Sequence, residues 1–313
     1  MSGTIKKGKH TPMNLLLIFN PRAGSGRAGK LLSPVTQAFQ HHNISIVPLV
    51  TEFPHHAAEL VQAHDLKGFD GIVAAGGDGT LFDVVNGLFK RNDQKMLPVG
   101  ILPMGTGNAF VRDFPLEEHN WQKAIDIIAA NNHRKVDVGK FFAGGKTDYF
   151  MNIIGLGFVS DVVDTAMKMK WMGNIAYTIG VFYQMAFLKS HTVHIDLDGI
   201  VVERENIFVE ISNTRYTSNF YMAPKAKFDD GKFDVTLLGA VNRRKLLKAF
   251  PTIFTGEHVN LEFVETYQAK QIHISTDVPK ILTPDGELWE STPVQISCLH
   301  QALEIFGPAL DAK

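Results

Sequence analysis

The sequence predicts an α/β fold in two parts: a parallel α/β region first, then an antiparallel β region. Two observations carry this. In the first part, three short apolar runs each end in a glycine-rich turn and lead toward helical spacing, the alternation that builds a parallel sheet. After Asp137 the apolar stretches are separated by the turn pairs Asp198-Gly199, Asp230-Gly231 and Asp285-Gly286, which mark antiparallel strands.

The first run, 15–19, is short and apolar enough for a buried strand. The loop behind it, from Asn20 to Lys30, nearly spells a P-loop, with Gly24, four residues, then Gly29 and Lys30. A P-loop needs Ser or Thr next to hold Mg²⁺, and Leu31 stands there. Two readings stay open: a phosphate loop of another kind, with Arg22, Arg27 and Lys30 adding positive charge, or a plain loop capping a helix over 31–42. Residues 44–50 read as a second strand ending at Thr51, and 55–67 as a helix.

The central stretch is Gly76-Gly77-Asp78-Gly79-Thr80. Residues 71–75 before it read as a buried strand, and Leu81, Val84, Val85 and Leu88 after it fall at helical spacing. Strand, glycine turn and helix aim free backbone N–H groups at an anion, and the glycines allow close approach. Asp78 is the odd member. A carboxylate repels a bare phosphate, so it belongs there as a Mg²⁺ ligand or a proton-handling group. A tight turn with no ligand is the competing reading. A further strand, 97–102, ends in Pro103-Met104-Gly105-Thr106-Gly107-Asn108. In a parallel sheet such turns share the carboxyl edge, where ligands bind. Three of them point to one polyanionic ligand, for which ATP is the natural candidate.

In the second part, 149–154, 194–197, 207–211, 233–238, 271–275 and 294–297 read as strands. Gly155-Leu156-Gly157 reads as a close-packing turn, because Ser160 replaces the third glycine of a dinucleotide motif. Residues 171–188 carry no charge and approach the length of a membrane span. Gly173, Asn174, Thr178, Gly180 and Gln184 favour instead a helix that covers a core or touches a lipid surface.

The 313 residues, 45% hydrophobic and 20% charged, suit two domains of ordinary size. A net charge of -1 argues against a nucleic-acid partner. Cys298 is the single cysteine, so no intrachain disulfide forms, which fits a reducing cytoplasm. Lys6, Lys7 and Lys9 read as a basic arm before the first strand, since the apolar run 13–19 is short for a signal segment.

Read in order, Asn20-Pro21 with Ala23-Gly24, Gly76-Gly77-Asp78-Gly79-Thr80-Leu81 with Val84-Val85-Asn86-Gly87, and Pro103-Met104-Gly105-Thr106-Gly107-Asn108 resemble the diacylglycerol-kinase catalytic family. Within it the chain is similar to the soluble bacterial lipid kinases related to sphingosine and ceramide kinases. Pro224, Ala226, Asp230-Gly231 and Asp285-Gly286-Glu287 extend the resemblance over nearly the whole chain.

The resemblance implies an ATP-binding α/β domain at 12–137 and 295–313, a C-terminal antiparallel β-sandwich lipid domain at 138–294, and ATP in the cleft between. It implies ATP contacts from Asn20, Pro21, Arg22, Ala23, Gly24, Arg27, Thr51, Gly76, Gly77, Gly79, Thr80, Asp83, Gly105, Thr106 and Asn108. Glu287 matches the general base, with Asp78 and Asp137 as further catalytic carboxylates. Asp78 also matches a Mg²⁺ ligand, and Asp230, with backbone carbonyls near Lys227 and Lys232, matches a second Mg²⁺ site. The implied reaction moves the γ-phosphate of ATP to the hydroxyl of a diacylglycerol-like or sphingoid lipid, as phospholipid biosynthesis requires. The implied setting is cytoplasmic, with peripheral contact at the inner membrane face; a homodimer is compatible with it.

Some positions depart from the family. Phe82-Asp83 stands where many relatives carry Asn-Glu, Ala109 replaces a carboxylate, and Ser218-Asn219-Phe220-Tyr221 replaces a glycine cluster. These bear on substrate identity more than on phosphoryl transfer. An NAD-kinase reading shares the Gly-Gly-Asp-Gly turn, but this chain has no Pro-Thr-Gly-Ser-Thr-Ala stretch. A catalytically silent lipid- or nucleotide-binding protein is the reading from another class, and Asp78 with Glu287 stand against it. Read alone, Glu287, Asp137 and Asp230 fit a turn residue, a strand-end carboxylate and a hairpin.

Overall fold

A computed structural model describes residues 12–114, 120–169, 179–180, 183 and 189–308. The basic arm and all but three residues of the uncharged stretch 171–188 lie outside them.

Strands β1 (Asn14–Phe19), β2 (Ser45–Val50), β3 (Gly71–Gly76) and β4 (Val99–Pro103) form the expected parallel sheet in the order β4-β3-β1-β2. Helices cover both faces, which is why these strands are apolar without alternation. Leu15, Leu17 and Phe19 pack with α1 (Leu32–His41) and α4 (Trp121–Ala129) through Val35, Phe39, Ile125 and Ile128. Leu16, Ile18 and Ile72 face α2 (His56–Ala63) and α3 (Asp78–Phe89) through Val61, Leu81, Val84 and Leu88. Helix α2 stops before residue 67 because Arg91 Nη1 donates to the terminal carbonyls of Gln62 and His64, at 3.2 and 2.9 Å.

The second part is antiparallel: β5 (His133–Ala143), β6 (Lys146–Phe150), β7 (Ile153–Gly157), β8 (His191–Leu197), β9 (Ile200–Ser212), β10 (Phe233–Gly239), β11 (Val264–Ala269), β12 (Gln271–Thr276), β13 (Leu282–Pro284) and β14 (Val294–Phe306). Its core joins Phe141, Phe150, Ile154, Val209, Val235 and Ile274. The β8–β9 turn places Asp198 at φ 53 and Gly199 at φ 92, the left-handed pair that a two-residue hairpin requires.

Three expectations change. The stretch 149–154 is two strands, broken at Met151-Asn152, whose N–H groups go to the Asp285 carboxylate. Gly155-Leu156-Gly157 ends β7 rather than forming a turn. Only Gly157, at φ 79, bends the chain into α5 (Phe158–Lys168), and a Cβ there would lie 2.6 Å from the Ile207 carbonyl. The last strand runs far past residue 297: β14 begins against β12, runs along β5, and ends parallel to β4 at Ile305. Leu303 and Ile305 thereby enter the core of the parallel part.

Candidate active site

The three glycine turns leave β1, β3 and β4 at one sheet edge and touch backbone to backbone. A Cβ on Gly24 would lie 2.7 Å from the Met104 carbonyl, and one on Gly105 would lie 2.4 Å from the Gly77 Cα. Only glycine permits this approach. Asn20 ties the first turn to the second: its Nδ2 donates to Thr80 Oγ1 at 3.0 Å and its Oδ1 accepts from Arg22 N at 2.9 Å. Asn108, buried and at φ 49, pins the third by accepting from Gly105 N at 3.0 Å and donating to Gly105 O at 3.1 Å. Arg27 Nε donates to Gly24 O at 2.9 Å, so it braces its own loop, while Arg22 is exposed. Ala23 is buried, Pro21 and Thr106 are half-buried, and Thr51 closes β2 at the same edge by donating to Phe19 O at 2.9 Å. The residues of these turns thus surround one space, with the N-terminus of α3 directed into it.

Glu287 reaches that space from the other part of the chain. A Cβ on Gly79 would lie 2.5 Å from Glu287 Oε1, so the carboxylate rests against the first turn of α3. The turn that carries it is anchored by Asp285, whose carboxylate accepts from Met151 N, Asn152 N and Ile153 N at 2.8, 2.7 and 3.0 Å. Burial pushes the Asp285 carboxyl up to about 7, against those three bonds and with help from nearby Asp78. Trp289 holds the far side of the turn. Its Nε1 donates to Asp148 Oδ2 at 3.0 Å, and its ring meets Phe82 and His55 edge-on at 5.5 and 5.7 Å. Asp148 also pairs with Lys90 at the end of α3.

Asp78 opens α3, and its Oδ1 lies 3.5 Å from Phe110 N. Burial raises its pKa, opposed by the backbone N–H groups of Phe110, Ala109 and Asn108. Asp83 accepts from His55 Nδ1 at 2.9 Å. Burial pushes Asp83 up to about 6 against that bond. Burial also works to lower the His55 pKa, but the Asp83 hydrogen bond and the charges of Asp83, Glu287 and Asp148 raise it overall. His55 and Trp289 are not legible as site residues in the sequence. The available signal for His55 was its place just after Thr51, at the carboxyl end of a parallel strand.

Asp137 lies elsewhere. It is 0% exposed; Oδ2 accepts from Gly231 N at 2.6 Å, and Oδ1 from Gln301 N at 2.6 Å and His300 Nδ1 at 2.9 Å. These bonds hold the irregularity of β14 at Gln301, where φ is 49 and the register with β5 shifts. Asp137 therefore joins the Asp230 corner, and its hydrogen bonds do not reach Asp78 or Glu287. Asp230, Lys227 and Lys232 are exposed, and Asp230 Oδ1 accepts from Lys232 N at 3.1 Å. Among the described residues no group of three or more His, Cys, Asp or Glu side chains is arranged to hold a metal ion by itself.

A second space lies on the outer face of the antiparallel part. Along β9, Val209 and Ile211 enter the sandwich core, so Phe208 faces the opposite side. Helix Arg243–Ala249 and helix α5 cover that face, leaving a cavity of about 100 Å³ walled largely by Phe, Leu, Val and Ile.

Comparison with known proteins agrees with this architecture. Residues 14–141 match the diacylglycerol kinase catalytic domain, and residues 152–307 match the YegS C-terminal NAD kinase beta sandwich-like domain. A diacylglycerol kinase of Mycobacterium tuberculosis (strain H37Rv) is 31% identical over 96% of this chain and 97% of its own length. A diacylglycerol kinase of Bacillus subtilis (strain 168) is 28% identical, covering 93% and 95%. The crystal structure of a candidate diacylglycerol kinase from Bacillus anthracis superposes with a TM-score of 0.79 at 28% identity, covering 96% of this chain and 99% of that one. With three glycine turns meeting at one parallel sheet edge, a β-rich second part and relatives matched end to end, the chain belongs to the diacylglycerol kinase family of lipid kinases.

Proposed function

We propose that this kinase uses ATP with Mg²⁺ and phosphorylates the hydroxyl of a diacylglycerol-like or sphingoid lipid. The observation that carries the reading is the contact of Glu287 with Gly79, which sets a carboxylate from one part of the chain beside the phosphate turns of the other. In this reading the backbone N–H groups of the three turns and of α3 hold the phosphates. Asn20 and Asn108 keep the turns fixed before the nucleotide arrives, so little reorganisation is needed. Glu287 accepts the proton of the lipid hydroxyl, at the mouth of the space, late in a loose transition state.

The residues fit Mg²⁺ as nucleotide kinases hold it, by one or two carboxylates together with phosphate oxygens and water. Asp78 is the carboxylate for that place, and the bound ion would neutralise charge on the transferred group. The Asp230 corner, with Lys227 and Lys232 carbonyls, suits a second Mg²⁺ in a bracing role. We divide the chain at 12–137 with 295–313 for the nucleotide and 138–294 for the lipid. The cavity, walled by apolar side chains, is the place for the lipid chain. Among the described residues no helix is long and apolar enough to cross a membrane. We assign peripheral contact to helix Arg243–Ala249, which points Arg243, Arg244, Lys245 and Lys248 outward beside the cavity.

The test is transfer of label from γ-labelled ATP to a panel of lipid alcohols, with NAD as a further acceptor. Labelled lipid supports the reading, label on NAD supports the small-molecule kinase, and no label on any acceptor supports a silent binder.

A further inference from the structure

The apolar cavity contains a carboxyl group that the phosphate chemistry does not use. Glu210 lines it from β9 and is 1% exposed. Its Oε1 takes both of its protein hydrogen bonds, from Thr217 Oγ1 at 2.6 Å and Ser212 Oγ at 3.2 Å. Among the described residues Oε2 has no hydrogen-bond partner, and it is not among the fully enclosed unpaired atoms, so it faces the open space beside it. That space is the cavity, and among the described residues no Lys or Arg lines it. A carboxyl so placed favours its neutral form, because an unpaired buried charge is costly. With two hydroxyls donating to Oε1, the acid proton belongs on Oε2, which has no hydrogen-bond partner among the described residues.

We propose that Glu210 is the specificity-determining group of a lipid-acyl site, donating Oε2–H to a carbonyl of an uncharged acyl lipid whose chain enters the cavity. The proposal rests on the lipid-kinase reading and names acylglycerols, whose esters only accept hydrogen bonds, over sphingoid amines. Burial pushes the Glu210 carboxyl up to about 7, against its two hydroxyl bonds, so the donor persists to neutral pH. Among the described residues, the other titratable group on the cavity wall is His258, on the turn Glu257–Asn260. Its Nε2–H donates to Met222 O at 2.9 Å, its Nδ1 is fully enclosed, and burial lowers its pKa. It stays neutral above its ordinary range and offers an ammonium nothing. The walls contributed by α5, β10 and helix Arg243–Ala249 carry no charged side chain into the cavity.

The site also lies within reach of the transfer chemistry. Glu210, Gly155 and Thr283 occupy one row across β9, β7 and β13, two residues before Asp285 anchors the Glu287 turn. Two interstrand steps separate Glu210 from Thr283, about 10 Å.

The experiment is equilibrium binding of tritiated dioctanoylglycerol to the full chain without ATP, at pH 6 and pH 8, for wild type, Glu210→Gln and Glu210→Met. Sign and size follow from the neutral fraction of Glu210: affinity is full below about pH 7, lost as pH rises through it, and roughly tenfold lower at pH 8 than at pH 6. Glu210→Gln keeps a donor and does not titrate, so it binds equally at both values, close to wild type at pH 6. Glu210→Met binds roughly tenfold more weakly at pH 6 and shows no pH dependence. Should the Met variant fail to fold, the Gln and wild-type pair decides alone. No binding by wild type, pH-independent wild-type binding, a Gln variant as weak as the Met variant, or sphingosine bound more tightly than the acylglycerol would each overturn the proposal. Acylglycerol that binds with this pH dependence but is never phosphorylated would refute the kinase reading and leave the acyl site standing.

Discussion

Replacing Gly79 by alanine tests the position of Glu287 without touching Glu287. The new Cβ would sit 2.5 Å from Oε1 and 3.6 Å from Cδ, so only the carboxylate oxygen is crowded. To restore an ordinary contact of about 3.4 Å the carboxylate retreats by roughly 1 Å, and displacement on this scale at a reacting group costs on the order of 10²-fold in rate. Stability moves little. The crowded atom is the free end of a side chain, and alanine in a helix gains up to about 1 kcal/mol over glycine. The melting temperature should therefore stay within a few degrees of wild type. The N–H of residue 79 is kept, so affinity for an ATP analogue, measured by calorimetry, should hold while kcat for lipid phosphorylation falls. Gly105→Ala is the contrasting control. Its Cβ meets the Gly77 Cα at 2.4 Å, and backbone cannot retreat, so that variant should lose several degrees or fail to fold. Activity of Gly79→Ala within about threefold of wild type, at matched melting temperature, would remove Glu287 from the reaction.

Asp78→Asn should abolish transfer with the fold intact, a loss on the order of 10²-fold or more, checked by label transfer beside a melting curve. Glu287→Gln should lower kcat and leave nucleotide affinity alone; a parallel loss of both would reassign the carboxylate to the nucleotide site. Asp137→Asn, by contrast, should act through stability, because its carboxylate holds Gly231, His300 and Gln301; a lower melting temperature with kcat within a few-fold of wild type is the expected pattern, and a kcat loss at unchanged melting temperature would return Asp137 to the reaction. Flotation with anionic liposomes should recover the protein at low salt and release it at high salt, since screening weakens the basic helix Arg243–Ala249; absence from the liposome fraction at low salt would count against membrane contact.

What the sequence determined by itself was local. Continuous apolar runs around Leu16 and Ile72 mark strands buried on both faces, and the glycines at 24, 77 and 105 mark backbone approaches that no side chain allows. Such features depend on a few adjacent residues, so they survive in one dimension. The tertiary structure decided which of them meet. Glu287 reads alone as a turn residue; it comes to lie against Gly79 at the start of α3 because Asp285 binds three N–H groups at the β6–β7 break and Trp289 packs on Phe82. The family resemblance set Asp137 beside Asp78, and packing encloses it in the corner of Gly231 and His300. Glu210 reads as one more polar residue in an alternating strand until helices cover its outward face. A carboxyl group takes its role from the donors, charges and enclosure around it, and residues distant along the chain supply all three.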